Sequence, residues 1–178
     1  WVAIHEPGLM GQRVFFFVRS HGYEFPKDGF GFDGVRLQLV AGQKATIKIK
    51  RLNIAERLYR VTGEGIYRDS VLLGEATPLA EPLGSGMVAG QDSAFAELYQ
   101  GKIFWFWGDT SRMSYPLGHF WMAAAVSELP GQGGLDPGLG VNLRYFTDKD
   151  GFSRPVARLG VEKGVIWADG FLTLPDET

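Results

Sequence analysis

The segment 90–112, GQDSAFAELYQGKIFWFWGDTSR, constrains the fold more than any other part of the chain, because it reads as one β-hairpin with an aspartate at each open end. A two-residue turn at Gln100-Gly101 pairs Tyr99 with Lys102, and the register that follows sets Ala96 against Trp105 and Ala94 against Trp107. Small residues thus face large ones. The other face sets Phe95 against Phe106 and Glu97 against Phe104, so both faces are largely apolar and suit a strand pair packed between two layers. A three-residue loop would shift the pairing by one residue and move Asp92 opposite Gly108 or Thr110. In the two-residue register Asp92 lies directly opposite Asp109. Opposed residues on antiparallel strands have Cβ atoms roughly 4.5–5.5 Å apart, where like charges are unfavourable. Such a pair must neutralise one member, bind a cation, or be put to use.

Strand signals dominate elsewhere too. Residues 1–5, 13–20, 35–40 and 44–52 read as strands separated by Gly, Pro and Asp clusters, and KATIKIKRL alternates in a way that gives a half-buried strand with a basic outer face. Asn53-Ile54-Ala55-Glu56 has the spacing of a capping box and allows one or two helical turns. Later strands are expected at 120–129, 141–147, 152–159 and 165–173, with a second hairpin over 142–158 turning at Lys149-Asp150-Gly151. No helix of ten residues is expected. Charge divides the chain as well: residues 1–60 carry ten Lys and Arg against five Asp and Glu, a net +5, while residues 61–178 carry eight against fifteen, a net −7. Two units with different surfaces follow.

Several function classes are excluded or left without support. The chain has no cysteine, which rules out disulfides and thiolate metal sites. No apolar run approaches the roughly 20 residues that span a bilayer, so no membrane span is expected. Gly84-Ser85-Gly86 lacks the spacing of a nucleophile elbow, and His5-Glu6 lacks the second histidine of a zinc-protease helix. The Asp148-Lys149-Asp150-Gly151 stretch begins like a calcium loop, but Leu159 stands where the loop needs glutamate, and a hairpin turn is the better reading. Neither a metal nor a cofactor is indicated, and the basic strand 44–51 alone does not argue for nucleic acid.

Two family resemblances add expectations. The stretch VFFFVRSHGYEFPKDGFGFDGVRLQLVAGQKATIKIKR resembles the C-terminal half of a transthyretin-like or carboxypeptidase-regulatory-like β-sandwich, in which a V-x-S-x-GY strand leads to a G-x-x-x-TI-x-I strand. The motif G-x-D-S-A, followed by a strand, a G-K turn and an aromatic strand ending in G-D-T, resembles the first blade of five-bladed glycosidase-type β-propellers. Together they imply an all-β chain: a partial β-sandwich over residues 1–60, a linker over 61–82, and antiparallel blade-like sheets of an incomplete β-propeller over 83–178. The chain begins at Trp1 in what reads as mid-strand, so a piece of a longer parent chain is expected, inactive alone and completed by the remainder of that parent.

The propeller resemblance implies an extracellular, periplasmic or cell-surface bacterial-type protein that binds or hydrolyses carbohydrate. Asp92 matches the acidic residue that the innermost strand of the first blade supplies to the funnel. Glycoside hydrolysis needs two carboxyl groups, roughly 5–9.5 Å apart according to stereochemistry. In the resembled enzymes these come from different blades, so Asp109 is a candidate substrate contact that reads better as a support that orients the turn or hydrogen-bonds backbone N–H groups after the strand. Asp169, in VIWADGFLTL, falls where a second-blade funnel residue would stand, although its Asp-Gly context favours a turn. Trp107 is a candidate stacking surface for sugar, as are Trp105, Trp121 and Trp167, with packing between blades the competing and favoured role for each. The alternatives are a non-catalytic surface or interaction module on the same scaffolds and an irregular β domain of structural role.

Overall fold

The computed structural model describes residues 1–53, 65–119, 121–157 and 164–175. It is an all-β fold of several short antiparallel sheets, and its one α-helix among the described residues, α1 (Arg68–Leu72), has five residues. The expected capping box at 53–56 extends outside the described residues. Two compact units are present, one of residues 4–57 and one of residues 1–3 with 58–178.

In the first unit, β1 (Arg13–Phe17) and β3 (Gly34–Gln38) form one antiparallel pair, while β2 (Tyr23–Glu24) and β4 (Lys50–Arg51) form another. The strand expected at 44–52 is therefore confined to its last residues, and residues 1–5 form no strand. The three N-terminal residues belong to the other unit, where the Ala3 N–H donates to the Asp69 carboxylate at 2.9 Å. Residues 65–82, expected as linker, also pack into that unit. Tyr67 donates its hydroxyl to the Leu139 carbonyl at 2.6 Å, the Ala80 N–H donates to Asn142 at 2.9 Å, and Leu79 is buried.

The second unit is organised by the hairpin. Strands β5 (Val88–Gln91) and β6 (Phe95–Tyr99) form its first arm, and β7 (Lys102–Trp107) and β8 (Thr110–Arg112) its second. Tyr99 pairs with Lys102, Ala96 with Trp105 and Phe95 with Phe106, which is the register of the two-residue turn. Gln100 (φ 48°) and Gly101 (φ 70°) both adopt left-handed backbone, the requirement of the primed turn whose twist matches the strands. Beyond a break at residues 92–94 the same register resumes, with Gln91 opposite Thr110 and Gly90 opposite Ser111. One hairpin thus serves two sheets. Its inner half joins β10 (Ala123–Glu128) and β11 (Arg144–Tyr145) in a four-stranded sheet of order β11-β10-β7-β6, and its outer half joins β9 (Tyr115–His119) in a sheet of order β5-β8-β9.

The four-stranded sheet buries its tryptophan face. Trp105 lies between Ala96 on one neighbouring strand and Ala125 on the other, and Trp107 lies opposite Ala123. The alanines leave room for both indoles, which stack at 6.4 Å and 14° and pack with Val141, Leu143, Ile103 and Tyr145. The Trp105 Nε1–H donates to Ser127 Oγ at 2.8 Å, so this core contact carries its polar atom with a partner. On the opposite face Phe106 stacks on Phe171 at 3.8 Å and 10°. Residues 165–173 hold this position without forming the expected strand. Side chains fix them: Thr173 donates its hydroxyl to the Leu98 carbonyl at 2.5 Å and its N–H to Glu97 at 3.3 Å.

Of the second expected hairpin only the turn forms, since β11 pairs with β10 and the strand expected at 152–159 is absent from its described residues. Thr147 bridges Ser153, the Asp148 N–H donates to the Phe152 carbonyl at 2.8 Å, and the Gly151 N–H donates to the Asp148 carbonyl at 3.0 Å. Asp150 is fully engaged, accepting from the Phe152 N–H at 3.1 Å and from Arg112 at 2.6 Å, which agrees with a turn role.

Near the tight turn of the main hairpin, Lys102 and Glu128 lie opposite one another on β7 and β10, with Nζ 2.6 Å from a carboxylate oxygen, and Arg144 bonds the same oxygen at 2.9 Å. The Lys102 hydrogen bond, then that of Arg144, holds the Glu128 carboxyl below its ordinary value of 4.5. A carboxyl lowered in the folded state stabilises above its unfolded pKa, and that stabilisation is lost as pH falls through the lower folded value. Urea unfolding of the parent and of Glu128→Gln should therefore show a stability gap in favour of the parent at neutral pH, narrowing as pH drops below about 4.5. A gap that stays constant through that range would count against the ion pair. A second substitution tests the turn: Gln100→Asn should raise unfolding stability by about 0.5–1 kcal/mol, because asparagine tolerates the left-handed conformation better.

Candidate functional site

The break in the hairpin at residues 92–94 creates the site. The Asp92 N–H donates to the Asp109 carbonyl at 3.3 Å, while the Asp92 carbonyl accepts from the Gly108 N–H at 3.0 Å. The ladder is thus interrupted without a change of register, three residues on each strand lying between the Gln91–Thr110 and Phe95–Phe106 pairs. The Asp92 carboxylate turns back and accepts the Asp109 N–H at 3.1 Å. Gly108 makes this possible, since a Cβ there would stand 2.4 Å from Asp92 Oδ1. Ser93 follows in left-handed backbone (φ 50°), a conformation that costs a non-glycine residue about 1–2 kcal/mol.

Asp92 and Asp109 are thus neighbours, as the register requires, but they differ in setting. Asp92 is exposed. Asp109 is half-buried, and its Oδ1 is buried without a hydrogen-bond partner. The Asp92 carboxylate thus caps the interruption by accepting a backbone N–H, while one carboxylate oxygen of Asp109 is buried.

Asp169 reaches the same end of the sheet. The Ala168 N–H donates to Met122 Sδ at 2.9 Å, directly before the start of β10 at Ala123, which pairs with Trp107. Phe171 lies beside Phe95 and Phe106, and Thr173 bonds Glu97 and Leu98 further along β6. The segment therefore runs in the same sense as β6, and Asp169, exposed, stands level with the Asp92 end.

The four candidate tryptophans divide by position. Trp107 is only 2% exposed, with Trp105 stacked on it and Tyr145 at 5.4 Å, so its ring is used in packing and offers no open face to a sugar. Trp121 and Trp167 are 38% and 57% exposed. Trp121 precedes Met122 at the open end and donates its indole N–H to the Gly164 carbonyl at 3.2 Å. Trp167 lies two residues before Asp169. The signal separating the pairs is their place relative to strand ends: Trp105 and Trp107 alternate within a central strand, while the other two lie outside any ladder.

Among the described residues no group of three or more His, Cys, Asp and Glu side chains is placed to hold a metal ion, and no helix is long and apolar enough to cross a membrane. No family model, curated protein or solved structure matches the chain. Trp107→Ala should cost about 3–5 kcal/mol of unfolding free energy, as for a large buried aromatic, whereas Trp167→Ala should change stability by less than about 1 kcal/mol. Equal effects in denaturant titrations would overturn the division between packed and open indoles.

Proposed function

We propose that residues 83–175 act in carbohydrate recognition, as a blade-like element of a sugar-binding or glycoside-hydrolysing β-propeller. The observation that carries this reading is the gathering of two exposed carboxylates, Asp92 and Asp169, with two exposed indoles, Trp121 and Trp167, at one end of a four-stranded antiparallel sheet. Indole faces stack on the apolar faces of pyranose rings, and carboxylates accept hydrogen bonds from hydroxyls, so the two residue types recognise sugar together. The four strands β6, β7, β10 and β11 pair antiparallel, as the strands of a propeller blade do, with β8 and β9 leaving for a second sheet between β7 and β10, and Asp92 precedes the edge strand β6.

Within this reading Asp92 is the candidate catalytic carboxylate, Asp169 contacts substrate, and Asp109 supports Asp92 through its N–H. An acid–base pair drawn from Asp92 and Asp169 would come from two separate segments of the chain, and hydrolysis would need their carboxyl groups to flank the scissile bond. The competing reading is a non-catalytic interaction module. It gains from the use of the Asp92 carboxylate as a backbone cap, a role that needs no substrate.

Titration calorimetry against neutral and acidic plant and algal oligosaccharides separates the two. Trp121→Ala and Trp167→Ala should each weaken binding about tenfold or more, and Asp92→Asn should abolish any hydrolysis while leaving binding measurable. Absence of binding to every glycan class would remove the carbohydrate reading.

A further inference from the structure

The first unit carries aromatic rings on the face that a two-layer fold turns to water. The β1–β3 ladder pairs Val14 with Leu37 and Phe16 with Val35 on one face, and all four are half-buried. That apolar face is the one a strand pair packs inward. The other face carries Arg13 opposite Gln38, Phe15 opposite Arg36 and Phe17 opposite Gly34. Gly34 admits the Phe15 ring, because a Cβ there would meet it at 2.4 Å.

Phe32 joins this outward face. Phe15, Phe17 and Phe32 pack edge to face, with ring centroids 5.1, 6.3 and 6.1 Å apart, and Phe17 and Phe32 remain 57% and 50% exposed. The Arg19 guanidinium lies 5.5 Å from the Phe17 centroid. The loop beside this pad is held by Asp28, whose Oδ1 accepts the N–H groups of Phe30 and Phe32 at 2.9 Å each, and by a bond from the Gly31 N–H to the Asp28 carbonyl at 3.0 Å. At its tip Phe30 is 89% exposed. A braced loop that presents phenylalanine to solvent, next to three rings in contact, is an unusual arrangement for a surface with no partner.

We infer that this face docks on an anionic lipid surface, with Phe17, Phe30 and Phe32 entering the headgroup boundary and Arg13 and Arg36 meeting the lipid charge. Phenylalanine has no polar atom with which to bond a hydroxyl or a base edge, which favours an apolar medium over a glycan or nucleic acid. The rings are turned edge to face and a guanidinium covers one of them, so they do not form the row of open faces on which bases or sugars stack. Charge agrees: residues 4–57 carry nine Lys and Arg against five Asp and Glu, a net +4. The interaction is peripheral and independent of the carbohydrate reading.

Co-sedimentation with phosphatidylcholine vesicles, with and without phosphatidylserine, tests it. The chain should pellet with the anionic vesicles, less so as salt rises, and not with phosphatidylcholine alone. Phe17→Ala with Phe30→Ala should weaken binding at least about tenfold, and Arg13→Ala with Arg36→Ala roughly 30-fold. Phe30→Ala alone is a further check, since an 89% exposed side chain can be removed without unfolding the chain, as circular dichroism should verify. Failure to pellet at low salt, or equal binding by parent and variants, would overturn the inference. So would binding of a single-stranded oligonucleotide or a soluble acidic glycan that depends on these same residues while vesicles are ignored.

Discussion

The second unit depends on the fit of two tryptophans between alanines. Trp105 and Trp107 stand on a strand whose neighbours present Ala96, Ala123 and Ala125 at the paired positions, and larger residues there would push the indoles out of register. Because side chains alternate strictly along a strand, this fit on one face fixes the phenylalanines on the other, and with them the docking of Phe171. Burial of Trp107 also fixes where the neighbouring interruption of the ladder falls. A strand anchored that firmly ends at a defined place, and Gly108 and Asp109 begin the turn-out that carries Asp92 to the surface.

Local chemistry made the hairpin legible from sequence. Gln100-Gly101 supplies a turn that accepts positive φ, and the small-to-large matching admits only one register, so the pairing of Asp92 with Asp109 followed directly. The same kind of signal located the turn at Lys149-Asp150-Gly151. Where local pattern failed, long-range packing had decided the outcome. Residues 165–173 alternate as a strand does, yet their contacts are a stacked ring and side-chain hydrogen bonds to β6, which no periodicity distinguishes from a ladder.

The site was only partly readable for a related reason. Asp92 and Asp109 could be paired because both belong to one hairpin. Asp169 could not, since its position beside them rests on Phe171 meeting Phe106 across more than sixty residues of chain. Likewise, nothing in the immediate neighbours of Trp107 and Trp121 separates a core indole from an open one. The difference comes from which strand occupies the centre of the sheet. In the first unit the pairing of β1 with β3 separates a face of Val14, Phe16, Val35 and Leu37 from one of Arg13, Phe15, Phe17 and Arg36.

Residues 164–175 are attached to the sheet through side chains rather than through a ladder. A segment fastened by one ring stack and a few side-chain hydrogen bonds can lift away without dismantling the sheet beneath, because the ladders from β6 to β11 lie outside those contacts. Lifting would uncover Phe95 and Phe106 and carry Asp169 and Trp167 away from Asp92 as one piece. The placement of Asp169 relative to Asp92 thus depends on side-chain contacts, the Phe171 stack and the Thr173 hydrogen bonds among them, and on no backbone ladder.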